Sequence, residues 1–309
     1  MIQVRNLVKR YGSLVALDHF ELDIKKGEIF GLLGPNGSGK TTAINCMLSL
    51  LKYSKGEVHL FGELMKPDNY ALKKRIGVVM QNVAVFNELT VAENIDYFCG
   101  LYVPDKEKRR QLAAEAIEFT GLGDYRKFLP KKLSGGLLRR LNIACGIAHK
   151  PELIFLDEPT VAVDPQSRNH ILEGIRELNR NGATVVYTSH YMEEVEQLCS
   201  RIMIMDKGKS IATGTTDELK AMIRTGEKLV AEAYALPEEV LAEIQSISGM
   251  YQAEYSDNLL TARYAADGRH LISVLDVLRR NNIAFGRVTS EPPTLNDVFL
   301  EITGKELKD

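Results

Sequence analysis

Unbroken apolar runs alternating with amphipathic stretches dominate the first two thirds of this chain. Five of the runs read as strands: Ile29–Leu33, Gly77–Gln81, Leu153–Asp157, Thr184–Ser189 and Arg201–Asp206. Several are continuous Val/Ile/Leu, as expected of strands covered on both faces. Between them, Lys106–Thr120, Leu137–His149 and Ser167–Asn181 carry apolar residues at helical spacing. Strands alternating with helices predict a mainly parallel sheet in an α/β fold. The stretch from Gln81 to Lys150 lacks a strong strand pattern. It reads as an inserted helical subdomain, about residues 84–150, within one α/β unit spanning residues 1–220.

Near Thr225–Gly226 the pattern changes. A strand candidate, Lys228–Ala235, precedes a Pro-started helix, Glu238–Ser246. Two alternating segments follow, Met250–Tyr255 and Leu259–Tyr264, and Ser256-Asp257-Asn258 between them suits a hairpin turn. A helix, Gly268–Asn281, and a strand, Ile283–Thr289, complete a β-α-β-β-α-β order. That is the order of a ferredoxin-like unit. A last helix, Thr294–Thr303, follows Pro292-Pro293. Residues 228–309 are therefore expected to form a small second domain.

Composition narrows the function classes. The chain has 309 residues, with hydrophobic content of 45% and charged content of 26%, ordinary for a globular protein. Its net charge of −2 gives no bulk electrostatic case for nucleic acid. Four cysteines stand far apart with no C-x-x-C pair, which argues against a zinc site or a disulfide scaffold. No run of about 18 apolar residues is present, so no segment is expected to span a bilayer. The N-terminus alternates like a strand and lacks a secretory apolar core. A cytoplasmic protein is expected, reaching a membrane only through a partner.

The candidate chemistry starts at GPNGSGKTT, Gly34 to Thr42, which fits the phosphate-binding loop G-x-x-x-x-G-K-S/T. An apolar run enters it and a helical stretch, Thr41 to Leu51, leaves it. Backbone N–H groups of Gly34, Pro35-Asn36-Gly37, Ser38, Gly39 and the residues after them can curl round phosphate oxygens at a helix N-terminus. Proline itself adds no donor. Lys40 would reach the terminal phosphates of ATP, with Thr42 beside it, and the Thr41 hydroxyl would take one Mg²⁺ position. LIFLDEP, Leu153 to Pro159, is an apolar strand ending in two carboxylates. In P-loop enzymes such a strand lies beside the phosphate loop, which makes Asp157 a Mg²⁺ group and Glu158 the residue that polarises the attacking water. Alone, the pair could be a solvated strand end. LSGG, Leu133 to Gly136, offers a hydroxyl and two glycines before a helix: a second anion site, or an ordinary N-cap. One ATP does not need two such sites from one chain unless the second completes a partner's nucleotide.

A phosphate loop, then LSGG, then LDEP, then TSH resembles the ATP-binding subunit of ABC transporters, over roughly residues 1–220. The resemblance implies an ATPase that sandwiches two ATP in a head-to-tail dimer. It makes Tyr11 the aromatic that stacks on adenine. Gln81 of VVMQN becomes the residue that touches Mg²⁺ and water and moves with the membrane partner. Ser134, Gly135 and Gly136 become the signature that meets the γ-phosphate across the dimer. Asp164 of VAVDP becomes the group coupling the two sites, and His190 of YTSHY the switch histidine. Two positions depart from the pattern. Leu137 stands where the signature usually has Gln, and tuning is expected there. Ala162 stands where T-x-G-L/V-D-P has Gly, and costs about 1 kcal/mol if that position needs φ > 0.

The tail, Pro292 to Leu307, is similar to the ends of ATPase subunits from ABC-2-type exporters of the daunorubicin/doxorubicin and linearmycin-resistance kinds. Glu158–Arg168 and Ser189–Ile202 point the same way. These imply efflux of a drug, antibiotic or lipid-like compound through a separate ABC-2-type membrane subunit docked near Gln81–Gly100, on the cytoplasmic face of the membrane. The tail's plainer reading is an amphipathic helix packed on its own domain through Leu295, Val298, Phe299 and Ile302. A soluble ATPase acting on ribosomes or DNA, or one serving a non-export membrane complex, is the competing class. The chain has neither paired ATPase units, nor long coiled-coil arms, nor a basic stripe.

Overall fold

A computed structural model describes residues 1–223, 226–265 and 270–304. The chain divides into two compact units, Met1–Thr215 and Thr216–Leu307. The first opens with an antiparallel pair, β1 (Ile2–Tyr11) and β2 (Leu14–Ile24). Then come β3 (Ile29–Leu33), α1 (Lys40–Met47), β4 (Lys55–Leu60), β5 (Glu63–Leu64), α2 (Tyr70–Lys73) and β6 (Ile76–Val79). Three helices follow: α3 (Val91–Gly100), α4 (Lys106–Phe119) and α5 (Gly135–Ile147). The unit closes with β7 (Leu153–Asp157), α6 (Pro165–Arg180), β8 (Thr184–Ser189), α7 (Met192–Leu198), β9 (Arg201–Asp206) and β10 (Lys209–Gly214).

The apolar runs build one sheet in the order β10-β9-β3-β8-β7-β6. Every residue of β3, β7 and β8 is buried, as unbroken Val/Ile/Leu patterns require. These strands run parallel, pairing Leu33 with Ser189, Asp157 with Thr188 and Val79 with Leu156. Only β10 is antiparallel, which makes the sheet mixed. The expected strand Gly77–Gln81 is shifted and ends at Val79. The Met80 and Gln81 carbonyls instead accept hydrogen bonds from Arg139, with Asn142 also donating to Met80.

A second, antiparallel sheet, β2-β1-β4-β5, was legible only at β1. β2 and β4 mix buried with exposed positions, β4 buries just Val58 and Leu60, and both residues of β5 are exposed. Ile2, Val4, Phe20, Leu22, Val58 and Leu60 share one core with α1 and with Phe30, Leu32 and Phe155 of the larger sheet. Each such side chain contributes about 1.5–3 kcal/mol on burial. α3, α4 and α5 share a core of their own, including Ile95, Ile117 and Leu141. α3 carries a reciprocal capping box, Thr90 with Glu93.

The second unit holds α8 (Thr216–Lys220), β11 (Glu227–Ala233), α9 (Glu238–Gln245), β12 (Met250–Ser256), β13 (Leu259–Tyr264), α10 (His270–Arg280), β14 (Phe285–Glu291) and α11 (Leu295–Thr303). Its sheet order is β12-β13-β11-β14, antiparallel throughout, the split β-α-β arrangement of a ferredoxin-like unit. Asp257 and Asn258 both take positive φ, 52° and 62°, between the paired Ser256 and Leu259: a two-residue turn whose twist suits a hairpin. Thr225, the helix start at Gly268 and the tail beyond Gly304 lie outside the described residues. In α11, Leu295, Val298 and Phe299 are buried but Ile302 is 37% exposed, so three of the four expected positions pack inward. Among the described residues no helix is long and apolar enough to cross a membrane.

His149, after α5, reports on the first unit's packing. Its ring stacks on Tyr102 at 4.0 Å, Nε2 lies 3.1 Å from the Ile76 carbonyl, and Nδ1 is buried without a partner. Burial pulls its pKa from 6.5 to about 4. Below pH 6.5 the unfolded chain takes up a proton that the folded ring refuses. Stability present above that pH is therefore lost as pH falls toward 4, by about 3 kcal/mol. In His149→Phe, which keeps the stacking, chemical denaturation at about pH 7 and about pH 4.5 should show a correspondingly smaller loss than wild type.

Candidate functional site

The parallel strands β3, β8, β7 and β6 end side by side, and each end delivers groups to the site. The phosphate loop follows β3. Gly37 and Gly39 take φ of +80° and +107°, which an L side chain rarely adopts. A Cβ on Gly34 would stand 2.3 Å from the Met205 carbonyl oxygen, and one on Gly39 2.9 Å from that of Ala16. The loop is thus pressed between β9 and the start of β2. Asn36 and Gly37 are exposed, Pro35 and Thr42 half-buried. Lys40 is 5% exposed, and its Nζ donates to the carbonyls of Gly34 at 2.7 Å and Pro35 at 3.2 Å. Burial lowers its pKa, while the neighbouring Glu158 opposes the shift. The Ser38 hydroxyl is buried and has no hydrogen-bond partner. An inward, unspent hydroxyl beside a buried ammonium and glycine-freed N–H groups fits a polyphosphate.

β7 ends in the buried Asp157. Its Oδ2 accepts from the Thr41 hydroxyl at 2.8 Å and its Oδ1 from the Thr188 hydroxyl at 2.6 Å. The Asp157 strand serves the phosphate loop across an intervening strand, because β8 stands between β3 and β7. Glu158 follows at φ +47°, a left-handed conformation costly for a side-chain-bearing residue. Its N–H is held by the Thr188 hydroxyl at 2.9 Å and the Thr188 carbonyl at 3.2 Å. Three groups converge on its carboxylate: Lys40 Nζ at 3.4 Å, His190 Nδ1 at 3.3 Å and Gln81 Nε2 at 3.4 Å. Lys40, Thr41, Gln81, Asp157, Glu158 and His190 therefore meet at one place.

Ser134, Gly135, Gly136 and Asp164 form a second constellation. Ser134 caps α5, its hydroxyl accepting from Leu137 N–H at 3.3 Å, so the plain N-cap role holds here. That cap starts α5 two residues before the expected Leu137. Ser134 and Gly135 are exposed, while Gly136 is buried. A Cβ on Gly136 would lie 2.4 Å from Ser167 Oγ and 2.9 Å from Asp164 Oδ2, so this glycine lets α5 approach the start of α6. Asp164 caps α6 through Ser167 N–H at 2.9 Å, and that hydrogen bond lowers its pKa. Leu137 packs into the helical core, and Ala162 takes φ +58°, the strained conformation its position implied. Tyr11 ends β1 46% exposed, with Lys9 Nζ 4.5 Å from one ring face.

Sequence reading missed four supports. Thr188 was hidden inside a strand. Arg139 and Asn142 hold the backbone at 80–84 to α5. The buried Asn94 bonds Phe86 N–H and O and the carbonyls of Leu89 and Thr90. Its position just after a capping pair, Thr90 and Glu93, was the available signal.

The phosphate loop after β3 and the carboxylate pair at the end of β7, one strand apart across β8 in a mainly parallel sheet, define a P-loop ATPase of the ATP-binding cassette class. The family model described as ABC transporter matches residues 17–161. The chain is 36% identical over 315 residues to the linearmycin resistance ATP-binding protein LnrL of Bacillus subtilis, covering 100% of both chains. It is 35% identical over 312 residues to the daunorubicin/doxorubicin resistance ATP-binding protein DrrA of Streptomyces peucetius, covering 100% of this chain and 94% of that one. A dimeric bacterial ABC transporter cassette superposes with a TM-score of 0.65 at 30% identity, over 70% of this chain and 98% of its own. A dimeric cassette in a post-hydrolysis state, bound to ADP and Pi, gives 0.64 at 29% identity over the same shares. The chain belongs to the ATP-binding proteins of ABC transporters and is an ATPase.

Thr188 bonds both carboxylate-bearing residues, so its hydroxyl can be tested directly. Thr188→Val is expected to lower kcat about tenfold, the equivalent of one to two hydrogen bonds, with ATP affinity within a few-fold of wild type. Thr188→Ser should restore turnover. Steady-state kinetics beside equilibrium nucleotide binding would separate the two quantities.

Proposed function

We propose that this chain is the ATP-hydrolysing subunit that energises export of a drug, antibiotic or lipid-like compound through a separate ABC-2-type membrane subunit. The observation that carries the chemistry is the convergence of Lys40, Gln81 and His190 on Glu158. The full-length likeness to resistance ATP-binding proteins supports the export reading.

In this reading the phosphate loop and Lys40 bind and orient the β- and γ-phosphates. Glu158 accepts a hydrogen bond from the attacking water and polarises it as the general base, and His190 and Gln81 hold the γ-phosphate side of the site. The Thr41 hydroxyl, Asp157 and Gln81 form an oxygen donor set suited to Mg²⁺, which when bound neutralises phosphate charge. Ser134 and Gly135, exposed on the second constellation, complete the site of a second copy in a head-to-tail dimer. Tyr11 offers its exposed ring to adenine. Nucleotide-driven closure and reopening pass to the membrane subunit through the segment after Gln81. There Phe86, on a loop clamped by Asn94, and Tyr97, on α3, pair edge-to-face at 4.9 Å yet stay 42% and 47% exposed, an apolar patch. Such a subunit sits peripherally on the cytoplasmic face.

Glu158→Gln is expected to bind ATP, to lose at least about 100-fold in kcat, and to accumulate dimers in MgATP by light scattering. Tagged Glu158→Gln protein, recovered with ATP from membranes solubilised in mild detergent, should bring a polytopic membrane protein in stoichiometric yield. Ribosomal or DNA-bound partners without one would overturn the transport reading and leave the ATPase standing.

A further inference from the structure

In the first unit a buried carboxylate lies outside the groups assigned above. Glu194, on α7, is buried, and its Oε2 accepts hydrogen bonds from Tyr187 at 2.7 Å, Thr160 at 2.8 Å and Ser189 at 3.2 Å. Arg168 Nε stands 3.2 Å from Oε1. Three hydroxyl donors on one oxygen and a guanidinium beside the other suit an ionised carboxylate, which only accepts. A charge in that position is strongly destabilising if its partners are taken away.

The partners come from segments that matter for nucleotide. Thr160 is two residues past Glu158 and leads into the strained Ala162 and then Asp164. Arg168 lies on α6, the helix that Asp164 caps. Ser189 directly precedes His190, and its hydroxyl also accepts from Tyr191 N–H at 2.9 Å. The Arg168 guanidinium lies 4.9 Å from the Tyr191 ring centroid, and the His190 ring 4.2 Å from the same ring. A single side chain thus ties the base of the His190 loop to both ends of the Asp164 loop.

We propose that Glu194 is a positioning residue that locks the His190 loop and the Asp164 loop together, so that a change at one nucleotide site reaches the segment facing the other. The proposal rests on the reading of His190 and Asp164 given above. It assigns Glu194 no contact with nucleotide. Its loss should therefore alter turnover and cooperativity while ATP binding persists.

The test is ATP hydrolysis and binding of a fluorescent ATP analogue by the full chain, in wild type, Glu194→Gln, Arg168→Gln and the double variant, with His190→Ala as control. Glu194→Gln is expected to bind the analogue within about threefold of wild type, lose about tenfold or more in kcat, and show a Hill coefficient nearer one. Arg168→Gln, at a side chain 32% exposed, should move the same way, and the double variant should lose no more than the worse single. Wild-type kcat and Hill coefficient in Glu194→Gln, or losses that multiply in the double variant, would overturn the proposal. A weakened analogue affinity with unchanged kcat would do the same. If Glu194→Gln does not fold, Arg168→Gln decides the question alone. Unchanged turnover in His190→Ala would instead bring down the reading of the site, whereas loss there with a normal Glu194→Gln would defeat only this proposal.

Discussion

A fully buried aspartate at the end of a central strand is the constraint on which the rest of this site depends. An ionised carboxylate loses several kcal/mol of hydration on such burial, and the fold must return it through hydrogen bonds. Asp157 receives one from Thr41, on the helix after β3, and one from Thr188, on β8. Those two bonds are possible only because three strands end level: Leu33 opposite Ser189, and Thr188 opposite Asp157. The register that satisfies Asp157 also brings Glu158 within reach of Lys40, His190 and Gln81. The site is therefore a property of strand order, and each loop supplies a side chain to a place the sheet has already fixed.

Strain concentrates where that sheet hands over to α6. Glu158 and Ala162 both adopt left-handed backbone within five residues, flanking Thr160, which is anchored to Glu194. Neither residue has the freedom of glycine, so the surrounding hydrogen bonds hold a conformation the local sequence disfavours. At Glu158 the same geometry that costs energy turns the carboxylate toward Lys40 and away from the continuation of β7. At Ala162 no such gain is visible in the side chain itself.

Chemistry was more legible in the sequence than architecture. The phosphate loop and the Asp157-Glu158 pair stood out because bond-making dictates residue type and spacing together, whereas Gln81 and His190 were picked out only by the likeness to ABC ATPases. Five strands of the larger sheet could be read because burial on both faces leaves runs dominated by apolar residues. β2, β4, β5 and β10 could not, since a strand covered on one face carries its signal in a few residues, and β4 has two. The C-terminal hairpin was legible because its two positive-φ turn residues, Asp257 and Asn258, are of the type such turns select. Thr188, Arg139, Asn142 and Glu194 were beyond reach for a different reason. Each acts across sequence separations that pairing in space alone reveals, and each looks like an ordinary member of its strand or helix.

Two close approaches hold α5 against its neighbours. Gly136 admits Ser167 and Asp164 against the start of α5, and Arg139, three residues on, holds the Gln81 carbonyl at 2.8 Å. α5 thus links the exposed Ser134 hydroxyl to the loop that carries the exposed Phe86. The Glu158 carboxylate, in contrast, is fixed by strand ends. Motion of α5 relative to the sheet would move Ser134 and the Gln81 backbone together while leaving Asp157 and Thr41 in place. The sheet ends fix Asp157 and Glu158, while α5 carries Ser134 and holds the Gln81 backbone, a division that follows from which residues each element bonds.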